Sequence, residues 1–425
     1  MIILYTALTW LLVIITYPVG LLLALFGRSQ LLNHFKLPTD IPQDGNIRLW
    51  IHAASVGEAG IAVSMAGEVK KSCPEALVFI STITVTGLEK VHLLNKSSAK
   101  NLVDYTFLAP IDCPVITQKF VKYIIPTSFI LVETEIWPSL IYSLHKKGVP
   151  ITIINGKLSR RAFRRYMFFR KSIKIIVQKI SLFCVQSRTF AKRFTLLGVP
   201  SDRIKIIGNI KFDSLPEPLD YDTEAIRLDM GIPLKVKVFV AGSTRPGEEE
   251  VLARSFTNIL EKYPDTVMIL VPRHLNRVSE VEKILDDNGL KYVKRTSGER
   301  LDSFDCSILL LDTMGELVSA YACADIAFVG GSLGDFGGHN PMEPAAFGIP
   351  VLFGPYMEQT GSKELLSKGA AALVHDEEEL AGMIISLFKN YEKSQQMGQA
   401  GTAVVHHYKG TLERTLEYMK NYKLI

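Results

Sequence analysis

Five glycines fall within nine residues of the run GGSLGDFGGHNPMEPAAFG (330–348): Gly330, Gly331, Gly334, Gly337 and Gly338. A strand-like apolar run precedes them and a helix-like run follows. Glycines let a ligand approach the backbone, and the free N–H groups and dipole of a helix start favour a phosphate. The run is neither G-x-G-x-x-G nor a P-loop, so it points to a nucleotide without specifying a dinucleotide or Walker site. A tight turn before a capped helix is the plainer alternative. Asn340 is placed as N-cap, Pro341 as N1 and Glu343 as N3, with Met342 between them. Glu343 either closes that capping box or accepts from ribose hydroxyls. Gly331, Ser332, Gly337 and Gly338, with Ser243 ending VKVFVAGS (236–243), form the phosphate-loop candidates. Thr313-Met314-Gly315-Glu316 repeats the logic as a T-x-x-E box after a strand. Pro272, Arg273 and His274 end VMILVPRH (267–274), where a strand-end cation suits a phosphate or carboxylate.

The first half of the chain offers carboxylates. HAASVGE (52–58) ends a strand with a Ser-x-Gly turn and places Glu58 at the next helix start. There it stabilises the helix dipole or acts as a general base at a strand's carboxyl edge. Glu133 and Glu135 in LVETEIWP are a second acidic pair, which strand alternation puts on one face. From Lys157 to Lys179 the sequence has nine Lys/Arg, Arg160, Arg161, Arg164 and Arg165 among them, and no acid. Phe163, Tyr166, Phe168 and Phe169 are interleaved. Nucleic acid and an anionic membrane surface are the sharp candidates, and a solvated helical face is the bland one. Asp220-Tyr221-Asp222 is formally D-x-D but lies in a proline-rich stretch. The nine histidines show no ligand spacing, so no metal site is expected.

The elements that must position these groups are legible as alternation. Apolar β-rich runs at 48–55, 76–82, 129–135, 151–156, 182–187 and 203–209 alternate with amphipathic stretches. The pattern breaks at FDSLPEPLDYDTEA (212–225), restarts at 236–243 and continues to 376. Continuous apolar strands separated by helices imply parallel sheets covered on both faces. The expectation is an α/β fold of two doubly wound Rossmann-like domains facing across a cleft, with ligands at the carboxyl ends of the strands. The boundaries are an anchor at 1–35, a first domain at 36–211, a linker at 212–235, a second domain at 236–405, and a terminal helix at 406–425 that packs back on the first domain.

A length of 425 residues suits two to three domains. With 48% hydrophobic and 21% charged residues the composition excludes disorder. Five cysteines, odd in number and without a C-x-x-C pair, argue for buried thiols in a reducing compartment and against zinc. Residues 2–26 carry no charge, and as a helix would reach about 37 Å, enough for a hydrocarbon core of about 30 Å. No basic residue precedes this stretch, which argues against a cleaved signal peptide. Pro18 and Gly20 leave a shallow segment in one leaflet as the lesser alternative. Arg28 and Lys36 follow it, so the expected arrangement is an uncleaved anchor with the body on the cytoplasmic side.

HAASVGE, ETEIWP (133–138), NGKLS (155–159), FCVQS (183–187), GNIKFD (208–213), AGST (241–244), VPRH (271–274), DTMGEL (312–317) and FVGGSLGDFGGHNPMEPAAFG (328–348) together resemble the 3-deoxy-D-manno-octulosonic acid (Kdo) transferases of lipopolysaccharide biosynthesis. The resemblance runs from the anchor to about residue 355. It implies a GT-B fold, an inverting mechanism without metal or other cofactor, CMP-Kdo as donor and a lipid A precursor as acceptor. It implies the bacterial inner membrane as location and no nucleic acid as partner. Glu58 resembles the family's general base, and Glu133 and Lys211 its transition-state stabilisers. Pro272 to His274, Met314 to Glu316 and Asn340 to Glu343 resemble its CMP-binding stretches. Arg160, Arg161, Arg164 and Arg165 would face the acceptor and membrane. After GPY (354–356) the family usually continues with Asn-Phe, whereas Met357-Glu358-Gln359-Thr360 stands here. Members add one, two or more Kdo units, and no motif fixes the number. The rivals are a GT-B enzyme using a UDP-sugar and a lipid-linked acceptor, and a non-catalytic membrane-bound binder.

Overall fold

Among the described residues the apolar runs become two all-parallel sheets of seven strands each. The computed structural model describes residues 2–24, 30–42, 47–98, 100–301 and 307–425. Arg28 and Cys306 lie outside the described residues. The chain divides into two units: Met1–Asp213 with Gly410–Ile425, and Ser214–Lys409.

The first unit contains β1 (Arg48–Ala53), β2 (Leu77–Thr82), β3 (Tyr105–Leu108), β4 (Ser128–Val132), β5 (Ile151–Gly156), β6 (Leu182–Val185) and β7 (Ile204–Ile206), in the order β3-β2-β1-β4-β5-β6-β7. Parallel neighbours need crossover helices, which cover both faces. Side chains of β1 accordingly alternate between two cores. Leu49, Ile51 and Ala53 pack with Ile130 and Val132, and Trp50 packs with Phe129 and Leu131. Leu49 to His52 pair with Ser128 to Leu131, so β1 and β4 are central neighbours from which the chain winds in opposite directions.

The second unit contains β8 (Lys237–Thr244), β9 (Thr266–Pro272), β10 (Tyr292–Lys294), β11 (Ile308–Leu310), β12 (Ile326–Val329), β13 (Val351–Phe353) and β14 (Ala371–Leu373), in the order β10-β11-β9-β8-β12-β13-β14. Its reversal falls between β8 and β12. Open α/β sheets bind ligands beyond the carboxyl ends of strands at such a reversal.

The stretch read as a linker has structure of its own. Asp222 caps the helix Thr223–Asp229, accepting the N–H groups of Glu224 and Ala225 at 3.1 Å. Arg227 of that helix binds the Cys323 carbonyl, and Met230 and Ile232 enter the second unit's core. The helix Thr411–Asn421 lies in the first unit, where Asp213 accepts the Thr411 N–H at 3.0 Å. Leu412, Leu416 and Met419 join the core beneath the helix Val56–Ser72. Cys73, Cys113, Cys184 and Cys323 are free thiols, the last three buried.

The uncharged segment at the front forms one helix, Ile2–Ala24, with Pro18 inside it. Among the described residues no helix is long and apolar enough to cross a membrane.

Candidate active site

Glu58 follows β1 in the first turn of the helix Val56–Ser72. Its Oε2 accepts the Ala54 N–H at 2.7 Å and its Oε1 the Ser55 hydroxyl at 2.9 Å, while the Ser55 side chain caps the Glu58 N–H. The arrangement is a capping box in which the carboxylate reaches one residue beyond the Ser55 cap, so the structural role of this carboxylate is real. It also lines a cavity of about 550 Å³ in the first unit, shared with Glu133, Glu135, Lys157 and Arg165. Burial, with only 6% of Glu58 exposed, pushes its carboxyl above the ordinary glutamate value. The hydrogen bonds from Ala54 and Ser55 oppose that push, and the charges of Glu133 and Glu135 add to it. A carboxylate raised in this way is a better proton acceptor.

β4 stops at Val132, so alternation does not place the two acids that follow. Glu133 turns into the left-handed region at φ 61°, and its N–H is held by the Ile154 carbonyl at 2.9 Å. A non-glycine residue there is strained and persists only where its surroundings fix it. Its carboxylate pairs with Lys157 Nζ at 2.7 Å and faces Lys211 Nζ at 3.9 Å. Asn155, also left-handed at φ 52°, accepts the Ile210 N–H at 3.0 Å and so sets the turn that carries Lys211. The Lys211 ammonium stands 3.7 Å from where a Cβ on Gly57 would lie, beside the start of the Glu58 helix. Four separate motifs thus meet at one strand reversal. Glu135 lines the same cavity with its carboxyl raised, chiefly by burial and further by Glu133.

Spacing did not single out Tyr5, Trp137, Lys157 or Tyr166 as cavity residues. Lys157 was visible as the lysine of NGKLS, one residue beyond β5. His52 lies beneath, buried and edge-on to Trp137 at 5.4 Å, with Nδ1 3.0 Å from Ser81 Oγ. Burial pushes its pKa down to about 4, which keeps the ring neutral.

The basic interval forms the helices Arg160–Phe168 and Arg170–Val177. Ala162, Phe163, Tyr166 and Met167 pack against the core, leaving Arg160, Arg161, Arg164 and Arg165 exposed. Arg165 reaches the cavity, and Phe168 is 83% exposed beside Phe169.

In the second unit the glycine-rich turn differs from the sequence expectation. The N–H groups of Gly331, Ser332 and Leu333 donate to the buried Glu248 carboxylate at 2.7, 2.9 and 2.9 Å, and the Arg245 N–H does so at 2.9 Å. Ser332 Oγ donates to Val329 and accepts the Gly354 N–H. Gly331 and Ser332 are therefore satisfied by an internal anion rather than offered to a phosphate. Gly330 is required because a Cβ there would come within 2.6 Å of the Ser243 carbonyl, which a φ of 57° at Ser243 presents. The Gly337 and Gly338 carbonyls accept the Gln359 amide, and the Glu358 N–H adds a bond to Gly337. The segment that departs from the family pattern thus braces this turn.

Arg245 and two histidines gather beside it. Arg245 Nη1 lies 2.8 Å from His274 Nε2, its Nε 3.4 Å from His339 Nε2, and its guanidinium 5.5 Å over the Phe336 ring. Burial and the charges of Arg273 and Arg245 push His339 down to about 4. Asn340 donates to Glu343 at 3.0 Å and accepts the Met342 N–H at 3.1 Å, and the short helix begins at Met342, one residue later than expected. Burial raises the Glu343 carboxyl, while Asn340 and Arg273 oppose it. Pro272 ends β9, and the Arg273 N–H donates to the Thr244 carbonyl at 3.1 Å. Thr313 Oγ1 and Arg295 Nε both bind Glu316, Gly315 is left-handed at φ 92°, and Met314 is 72% exposed. Arg245 and His339 were missed by spacing, although Arg245 directly follows AGST. Among the described residues no group of three or more His, Cys, Asp or Glu is placed to hold a metal ion.

The description of the 3-deoxy-D-manno-octulosonic-acid transferase family fits residues 28–214. The 3-deoxy-D-manno-octulosonic acid transferase of Haemophilus influenzae is 33% identical over 389 residues, covering 88% of this chain and 87% of that one. The enzyme of the same name from Chlamydophila psittaci is 30% identical over 395 residues, covering 91% and 88%. A glycosyltransferase structure from Rickettsia africae shares the fold with a TM-score of 0.62 at 14% identity, covering 89% and 99%. The two doubly wound sheets are thus a GT-B-like fold, and the chain belongs to the Kdo transferase family of glycosyltransferases.

Proposed function

We propose that the protein is an inverting, metal-independent enzyme that transfers Kdo from CMP-Kdo to a lipid A precursor, adding one or more units in succession. It works on the cytoplasmic side of the bacterial inner membrane, held there by its N-terminal helix and by the arginines of the helix Arg160–Phe168. The observation that carries this reading is Glu58, a buried carboxylate raised above its ordinary pKa in a cavity that also holds Glu133, Lys157 and Arg165.

In the reaction Glu58 accepts the proton of a sugar hydroxyl on the lipid. That oxygen forms the new bond to the anomeric carbon of Kdo as the bond to the CMP phosphate breaks, and CMP leaves with the bonding pair. Attack from the face opposite the leaving group inverts the centre. Glu133 offsets positive charge developing on the ring, and Lys211 faces the sugar carboxylate. Arg245 and Arg273 take the leaving phosphate, Asn340 and Glu343 the ribose, and no other cofactor enters.

Mass spectrometry of the lipid after incubation with CMP-Kdo and a tetraacylated acceptor tests the whole reading and counts the sugars added. A product that forms with a UDP-sugar and not with CMP-Kdo would replace it with the UDP-sugar alternative.

A further inference from the structure

The described face pattern of the N-terminal helix is the reverse of what water selects. Tyr5, Thr6, Val13 and Thr16 are half-buried and Thr9 is buried, five positions that helical periodicity brings to one side. Four of the five carry hydroxyls. Outward stand Leu8, Trp10, Leu11, Leu12, Ile14 and Ile15, each between 41% and 62% exposed. A helix at a water surface turns its apolar stripe to the protein. This one turns its hydroxyls there and presents a contiguous apolar face outward.

The start of this helix and residues 34–35, which follow it in the chain, reach one place on the first unit. Near the start, Tyr5 Oη donates to Asp112 Oδ2 at 2.5 Å, and the same buried carboxylate accepts the N–H groups of Ser139 and Leu140. Beyond the helix, His34 Nδ1 lies 2.7 Å from the Ala109 carbonyl. Phe35 meets Tyr17 edge-on at 5.1 Å. Residues 5 and 34 thus reach the same loop, Ala109 to Asp112. In a crossing helix with the body on one side, residue 5 would stand about 30 Å away, past the hydrocarbon core. The Tyr5–Asp112 bond does not allow that.

We infer that this helix lies in a single leaflet, with its outward stripe in the acyl chains and its hydroxylated side on the first unit, and does not cross the bilayer. The inference rests on the membrane attachment proposed above. Charge complementarity selects lipid as the occupant of the apolar face. Tyr5 and Arg165 line the same cavity, so the start of the helix and the exposed arginines border one opening, and Phe168 and Phe169 stand exposed at the end of the arginine helix. Apolar side chains flanked by arginines are the pattern of an in-plane helix on an anionic membrane.

Two measurements on the full-length protein in bacterial inner membranes test this. Ile2→Cys is treated with a membrane-impermeant maleimide, in spheroplasts and in inverted vesicles. Labelling confined to inverted vesicles, where the body faces the reagent, supports a same-side start. Labelling in spheroplasts overturns it, because the helix then crosses. In liposomes, quenching of Trp10 by brominated lipids should be stronger for bromines near the headgroup than near the chain end, and should vanish in Trp10→Phe. The reverse depth order overturns the inference. Membrane-bound protein without Trp10 quenching also overturns it, since a second copy then covers the stripe. A protein that stays in the soluble fraction instead removes the attachment on which the inference rests.

Discussion

The Glu248 carboxylate lies 2.7 Å from the Gly331 amide nitrogen and fills the concavity where a glycine-rich turn of this kind would seat a phosphate. Glu248 is 1% exposed, and its two oxygens satisfy four backbone N–H groups. Glu248→Ala leaves those donors buried without partners, at about 1–3 kcal/mol each and not additively. The expected loss is about 4 kcal/mol in urea unfolding of the second unit. A loss below about 1 kcal/mol would show that the turn holds itself.

Glu58→Gln keeps the size of the side chain and removes the proposed base. The turnover number should fall by about 100-fold or more, with CMP-induced thermal stabilisation retained. With Glu58 as the proposed base the ionised carboxylate is the active form, so its raised pKa places the acid limb of the rate profile above the ordinary 4.5. For stability the sign is opposite. A carboxyl whose folded pKa exceeds its unfolded one stabilises below the unfolded value, and that contribution is lost as pH rises through the folded value. The stability of wild type relative to Glu58→Gln should therefore decline as pH is raised above 4.5, measured by denaturation at several pH values.

Arg245 stands beside β8 with the rings of His274 and His339 on its two edges. Arg245→Ala should weaken CMP binding by about tenfold or more, the scale of one charge-assisted phosphate contact. Cytidine, which lacks the phosphate, should bind both proteins equally in calorimetry. Equal weakening of both ligands would place Arg245 away from the phosphate.

Arg160, Arg161, Arg164 and Arg165 are exposed and their removal should leave the fold intact. Replacing all four by Ser should raise KM for the lipid acceptor by at least tenfold, since each cation near an anionic surface contributes up to about 1 kcal/mol. CMP binding should persist. Added salt should narrow the gap between variant and wild type, because the lost attraction is screened.

The parallel sheets were legible because each buried strand is a continuous apolar run, and Glu58 because a carboxylate at a strand-to-helix turn is a local pattern. What failed was decided at long range. The donors of the glycine-rich turn answer to Glu248, more than eighty residues earlier, and sequence spacing does not contain that distance. Glu133 was read by alternation, but β4 ends one residue sooner and a left-handed turn takes over. The stretch 212–235 looked featureless because its helix is only Thr223–Asp229, too short to show a period, and its packing partner is the Cys323 carbonyl. The N-terminal segment is legible as an uncharged run, but which side its threonines face is set by the loop Ala109 to Asp112, about a hundred residues away.

The helix that Asp213 caps has a consequence for synthesis. Leu412, Leu416, Met419 and Leu424 belong to the first unit's core, yet the ribosome reaches them after the whole second unit has been made. Domains ordinarily fold in the order in which they emerge. Here the earlier unit waits with an apolar face open beside the helix Val56–Ser72 while the later one is free to finish first. The nascent chain is therefore most exposed to misassembly late in translation, and its first unit is complete only when residues 410–425 have left the exit tunnel.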